Sequence, residues 1–173
     1  MHPSIAAVSL LASTFIGCAD PSPTSPATPT SRQSLGVAAQ RSSAARPFKG
    51  SCTTTINAPP LPLPPVIHQV DTGTCELTHL GRAALYGELD INFASGTQSG
   101  WRTLTAANGD KLYLTVTGRN AGAVGGVVTI DAQMVIVGGT GRFTGATGSA
   151  RGTGSATLAT RSTSVSIEGT INY

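Results

Sequence analysis

Arg82-Ala83-Ala84-Leu85-Tyr86-Gly87-Glu88-Leu89-Asp90-Ile91-Asn92-Phe93 reads with a period of two. Ala83, Leu85, Gly87, Leu89, Ile91 and Phe93 share one side, while Arg82, Tyr86, Glu88, Asp90 and Asn92 share the other. That is a strand with one dry and one wet face. The pattern recurs. Leu112, Leu114 and Val116 alternate with Lys111, Tyr113, Thr115 and Thr117; Val128, Ile130, Ala132, Met134 and Ile136 with Thr129, Asp131 and Gln133; and Val165, Ile167 and Ile171 with Ser164, Ser166, Glu168 and Thr170. No stretch sustains the 3.6-residue apolar repeat of an amphipathic helix. The composition agrees, with 21 glycines and only 11% charged residues.

Turn chemistry separates these runs. Asn108-Gly109 suits a type I′ turn joining a strand around Trp101–Ala106 to one at Lys111–Thr117. Gly118–Gly126 and Ala159–Ser162 read as further connections, and Asn57–Pro65, rich in proline, as a stiff polyproline II loop between strands Phe48–Ile56 and Val66–Leu77. Short strands with no helix between them mean a sandwich or an antiparallel barrel. The abundance of small residues favours the barrel, because glycines relieve crowding where strands bend and close. The fold class is therefore all-β, with one domain over residues 47–173.

The residues before it read differently. An apolar run from Ile5 closes on Phe15-Ile16-Gly17-Cys18, too short to span a bilayer. It resembles the processing box of a bacterial lipoprotein signal, and a cleaved secretory signal is the competing reading. The resemblance implies residues 1–17 as signal peptide, acylation at Cys18, and a protein held at the membrane by lipid, in the extracytoplasmic cell envelope. Ala19 after the cysteine implies the outer membrane where an organism has one. Residues 18–46 are Pro, Ser, Thr, Ala, Gln and Arg with almost nothing to bury, so they read as a disordered tether. Its Arg32, Arg41 and Arg46 are too scattered for a lipid-binding patch and serve solubility.

Within the domain, Phe48-Lys49-Gly50-Ser51, Thr78-His79-Leu80-Gly81-Arg82, Thr105-Ala106-Ala107-Asn108-Gly109-Asp110, Gly138-Gly139-Thr140-Gly141-Arg142-Phe143-Thr144-Gly145-Ala146-Thr147-Gly148 and the final Glu168-Gly169-Thr170-Ile171-Asn172-Tyr173 carry a further resemblance. They are similar, in order and spacing, to a widespread group of secreted bacterial proteins. That group resembles in turn the allene oxide cyclase and dirigent barrels, chiefly through Gly-Gly-Thr-Gly-Arg-Phe. The resemblance implies an eight-stranded antiparallel closed barrel with an apolar cavity, and a homotrimer. None of the enzymes' catalytic residues maps onto this chain.

Read by themselves, the candidate sites are few. Gly139-Thr140-Gly141 is no phosphate loop, since no helix follows and no lysine is present. Its glycines serve a turn, with Phe143 plugging one barrel end and Arg142 bonding carbonyls or a carboxylate. Cys52 and Cys75, two cysteines of an exported domain on consecutive strands, are expected to form a disulfide. His68 and His79 could join them around a metal, but no close ligand pair exists, so neither metal nor cofactor is expected. The carboxylates Asp71, Glu76, Glu88, Asp90, Asp110, Asp131 and Glu168 are scattered, with Glu88 and Asp90 the one close pair. His79 reads as a turn residue.

The formal charge of +3 comes with no basic stripe interleaved with aromatics, so nucleic acid is not an expected partner. The expectation is a non-enzymatic, lipid-anchored barrel, structural or binding a small apolar ligand. Leu85, Leu89, Leu114, Met134, Ile136, Val165 and Ile167 either line its cavity or fill it as core. The alternatives are an isomerase or cyclase acting on a small hydrophobic substrate, which buried inward polar residues would indicate, and an adhesive envelope protein, which an exposed apolar patch would indicate. The alternation places mostly aliphatics inside.

Overall fold

The computed structural model describes residues 44–57, 64–120 and 123–173. The signal segment, Cys18, Arg32, Arg41 and most of the proline run lie outside the described residues. Eight strands follow one another: β1 (Arg46–Asn57), β2 (Val66–Leu77), β3 (Gly81–Asn92), β4 (Thr97–Ala106), β5 (Lys111–Asn120), β6 (Val127–Gly139), β7 (Thr147–Thr157) and β8 (Ser162–Asn172). Each pairs antiparallel with the next, and β8 pairs with β1, closing the barrel. Closure leaves no sheet edge unpaired, which removes the edge-aggregation hazard of open sheets.

The period-two reading holds through β3, whose Ala83, Leu85, Leu89 and Ile91 are buried. Several boundaries differ. β5 runs on through Gly118 to Asn120, so the following connection is shorter than the glycines suggest. Leu158–Arg161 joins β7 to β8, and Ser162 already belongs to β8. Arg46 opens β1 instead of ending a tether, its guanidinium 4.7 Å from the Tyr173 ring centroid. β7 itself had no visible alternation, because its inward residues are Ala150, Gly152, Gly154 and Ala156. Their smallness is used: a Cβ on Gly152 would come within 2.7 Å of Met134 Cε and 3.0 Å of Val165 Cγ1. Thin side chains on β7 leave the room that thick ones on β6 and β8 fill.

The β4–β5 hairpin forms, but not through a type I′ turn. Only Gly109, at φ +88°, takes a positive φ there, and Gly109 N–H donates to Ala106 O at 2.9 Å. This is the three-residue loop in which a turn is followed by a left-handed glycine. Between β5 and β6 the register shifts at Tyr113/Leu114, where Val137 is the extra residue of a bulge.

Cys52 and Cys75 are direct register partners on β1 and β2 and are joined by a disulfide. The bond cross-links a segment with 23 residues' separation, worth about 3 kcal/mol on the chain-entropy estimate.

The end that carries Thr78–Leu80, Asn108–Asp110 and Thr140–Ala146 is sealed. Phe48, Leu112, Phe143 and Ile171 are fully buried there. A 3₁₀ turn at Gly141–Phe143 folds Phe143 inward, against Tyr173 at 5.0 Å between ring centroids. Asp110 fastens the turn: its carboxylate accepts from Asn108 Nδ2 at 2.8 Å and lies 3.6 Å from Arg142 Nε. Gly141 sits at φ +57°, and any Cβ there would overlap Asp110 Oδ1. His79, also left-handed at φ +67°, is bonded through Nε2 to Pro47 O at 3.0 Å, as a turn residue.

Candidate functional site

The opposite end is built differently. Here the inward face carries Gln69 and Asp71 from β2, Gln98 and Arg102 from β4, Asn120 from β5 and Thr163 from β8, all buried. Asp71 is the most deeply buried of them, 1% exposed, and Arg102 is 7% exposed. Arg102 Nη2 donates to Asp71 Oδ2 at 2.6 Å, and Gln69 Nε2 donates to Asp71 Oδ1. Both carboxylate oxygens are therefore occupied by protein donors.

Gly87 makes the ion pair sterically accessible. Asp71 and Arg102 lie on strands that flank β3, and Gly87 is the register partner of both. Two inter-strand spacings, about 9.5 Å, separate their backbones, a gap that an arginine side chain can cross if nothing stands between. A Cβ on Gly87 would lie 2.6 Å from Arg102 Cγ and 2.8 Å from Trp101 O. The missing side chain is the channel through which Arg102 reaches Asp71.

Not every polar atom finds a partner. Arg102 Nε, Asn120 Oδ1 and Thr54 Oγ1 are buried without a hydrogen bond. Burying such an atom unmet costs roughly 1–3 kcal/mol, so each would gain from a hydrogen-bonding partner. Arg102 and Asn120 line one cavity of about 30 Å³, room for one or two waters, with Gln69, Asp71 and Gln98. Its apolar lining is Ile56, Leu89, Ile91, Phe93, Val128, Ile130, Ala156 and Leu158. Ile56, Ile91, Val128 and Ala156 each sit one residue from the mouth-side end of their strand, whereas Asp71 and Arg102 sit five residues in. The cavity thus has a polar floor and an apolar rim.

All seven aliphatic residues singled out as lining or core are buried. Leu85, Leu114, Met134, Ile136, Val165 and Ile167 pack against one another and their neighbours in the main core, and Leu89 is the one that also faces the cavity. Mostly aliphatics face inward, as the alternation predicts, but at this end polar side chains join them. Asp71, which looked like one of several scattered carboxylates, points into the barrel. The signal was present as strand parity: Gln69 and Asp71 share it with Ile67, Cys75 and Leu77, Gln98 and Arg102 with Leu104 and Ala106, and Asn120 with Leu112 and Val116.

The remaining charged groups sit on the outer wall. His68 Nδ1 lies 2.9 Å from Asp90 Oδ1 and its Nε2 3.6 Å from Glu88 Oε2. The hydrogen bond to Asp90, aided by both carboxylate charges, raises the His68 pKa above its ordinary value. Glu88 also accepts from Tyr86 Oη at 2.8 Å, which raises the Tyr86 pKa. Arg151 holds Asp131 at 2.6 Å and Lys49 holds Glu168 at 2.7 Å, and each bond lowers its carboxylate's pKa. Such exposed pairs contribute little to stability, because solvent screens them. Tyr86 and Trp101, 5.5 Å apart, stand exposed beside Tyr113, Val135 and Val137. Nothing in this outer group faces the cavity. Among the described residues no three His, Cys, Asp or Glu side chains cluster as metal ligands.

Compared with family models and with curated proteins, the sequence matches none. Among solved structures, that of the pterocarpan synthase dirigent protein is similar, with 17% identity, 75% of this chain and 86% of that chain covered, and a TM-score of 0.44.

Proposed function

We propose that this protein is an exported, lipid-anchored binding protein that takes a small, largely apolar molecule into the barrel end that carries Asp71 and Arg102. The observation that carries the reading is Arg102 Nε, a buried donor with no partner, on the floor of a cavity with an apolar rim. The cavity as it stands admits a polar head, while the body of the ligand lies against Phe93, Leu158 and their neighbours at the mouth. Export and anchoring rest on the lipoprotein-like Phe15-Ile16-Gly17-Cys18 and on the disulfide, a bond typical of oxidising compartments.

Native mass spectrometry of the protein purified from a bacterial envelope tests this. A non-covalent adduct that disappears on denaturation supports the binding role, and acyl mass on the denatured chain supports lipidation of Cys18. A clean mass after incubation with extracted envelope lipids sinks the binding reading in favour of a structural barrel. The same spectrum reads the oligomeric state, for which the family resemblance implies a trimer.

A second reading is an isomerase or cyclase on a small hydrophobic substrate. Inward, buried Asp71 and Arg102 favour it, since a carboxylate can move a proton and a guanidinium can stabilise a developing oxyanion. Turnover of a short-chain allene oxide, abolished by Arg102→Gln, would support it. Spontaneous product ratios in the presence of protein would exclude that activity.

A further inference from the structure

The charge balance of the cavity floor carries more than its shape. Among the described residues Arg102 is the one cation lining the cavity and Asp71 the one anion, and they are bonded to each other. A second protein donor, Gln69, occupies the other oxygen of Asp71. What the floor leaves unmet is Arg102 Nε–H, on a guanidinium whose charge is already cancelled, and the neutral acceptor Asn120 Oδ1. Resting on the binding role proposed above, we infer that Asp71 sets the specificity of the cavity, tuning it to ligands with an uncharged oxygen head and against carboxylates and amines.

The physical argument is a comparison of desolvation with gain. A neutral hydroxyl, carbonyl or ether oxygen loses little on leaving water and recovers a hydrogen bond from Arg102 Nε–H, relieving the orphaned donor. A carboxylate loses far more hydration on entering the same space. Arg102 cannot repay it, because the approaching negative charge meets Asp71 beside the same guanidinium, and the two charges oppose each other. An ammonium head is excluded in mirror image: the neutral Asn120 Oδ1 does not repay its lost hydration, Asp71 already accepts from two protein donors, and Arg102 repels the cation. The ion pair therefore behaves as a polar but neutral floor.

Each half of the pair predicts its own reversal. Without the Asp71 charge the floor becomes a buried cation and should favour an anionic head. Without the Arg102 charge it becomes a buried anion and should favour a cationic one. The test is isothermal titration calorimetry of the full chain at neutral pH with octan-1-ol, octanoate and octylamine, probes that share one apolar body and differ in head charge. Wild type is expected to bind octan-1-ol about tenfold or more tighter than either charged probe, a difference of about 1.4 kcal/mol. Asp71→Asn is expected to shift the order to octanoate first, and Arg102→Gln to octylamine first. The two variants are independent, so misfolding of one, seen as loss of its thermal transition, leaves the other to decide. Equal or tighter binding of octanoate by wild type would overturn the inference and leave the binding role standing. Saturable binding by none of the three would overturn both.

Discussion

The two ends of this barrel are made by the same eight strands and solve opposite problems. At the sealed end, buried aromatic and aliphatic side chains occupy the bore, with Phe143 turned inward by a 3₁₀ turn that Asp110 fastens. At the opposite end the bore carries a buried ion pair, amides and unmet polar atoms. Apolar burial stabilises at about 25 cal/mol per Å², whereas a buried ion pair returns little beyond its desolvation cost. The difference teaches that the two ends weigh differently in the fold: one is held by apolar burial, and the other carries a polar floor whose burial returns little stability.

The largest effect should come from breaking the sealed end. Phe143→Ala removes a fully buried ring and should cost about 3–5 kcal/mol in denaturant unfolding. At the polar end the outcome should depend on how the substitution is made. Arg102→Met alone leaves Asp71 buried and unpaired and should cost a similar 3–5 kcal/mol, whereas Asp71→Leu with Arg102→Met should restore stability or raise it by about 1–4 kcal/mol. A double variant as unstable as the single would erase the contrast, because the pair would then be structural.

Reduction of Cys52–Cys75, or its replacement by serines, comes next at about 3 kcal/mol, read as a lowered thermal midpoint. Gly87→Ala sharpens the comparison at smaller cost. Its Cβ crowds Arg102 Cγ and the Trp101 carbonyl, so about 1–3 kcal/mol of stability should go together with ligand affinity. The same substitution at Gly109, which has open space around it, should leave affinity untouched.

The smallest effects belong to the outer wall, which neither end uses. Asp131 and Glu168 have lowered pKa values, so their contribution is present above the ordinary carboxylate values of 3.8 and 4.5 and fades as pH falls through the lowered ones. His68 runs the other way: its raised pKa stabilises below 6.5, and that contribution is lost as pH rises through the folded value. Thermal midpoints of Asp131→Asn with Glu168→Gln should lose the acid-side slope alone, and those of His68→Gln the neutral-side slope alone.

Strand alternation needs no tertiary information, because side chains alternate across a pleated strand whatever the strand packs against. The sequence by itself therefore determined the β class, most of the strands, the plug role of Phe143 and the pairing of Cys52 with Cys75. It also held, in parity, the inward side of Asp71 and Arg102, but polar residues on a dry face look like exceptions until the barrel closes. β7 stayed hidden because glycine and alanine carry too little hydrophobicity to mark a face, and the β4–β5 turn type because Asn-Gly fits more than one loop length. Only the tertiary structure set Gly87 between β2 and β4, put an arginine within reach of an aspartate 31 residues away, and left one guanidinium N–H unmet above it. Those are relations across strands, fixed by register and closure, and no local pattern along the chain encodes them.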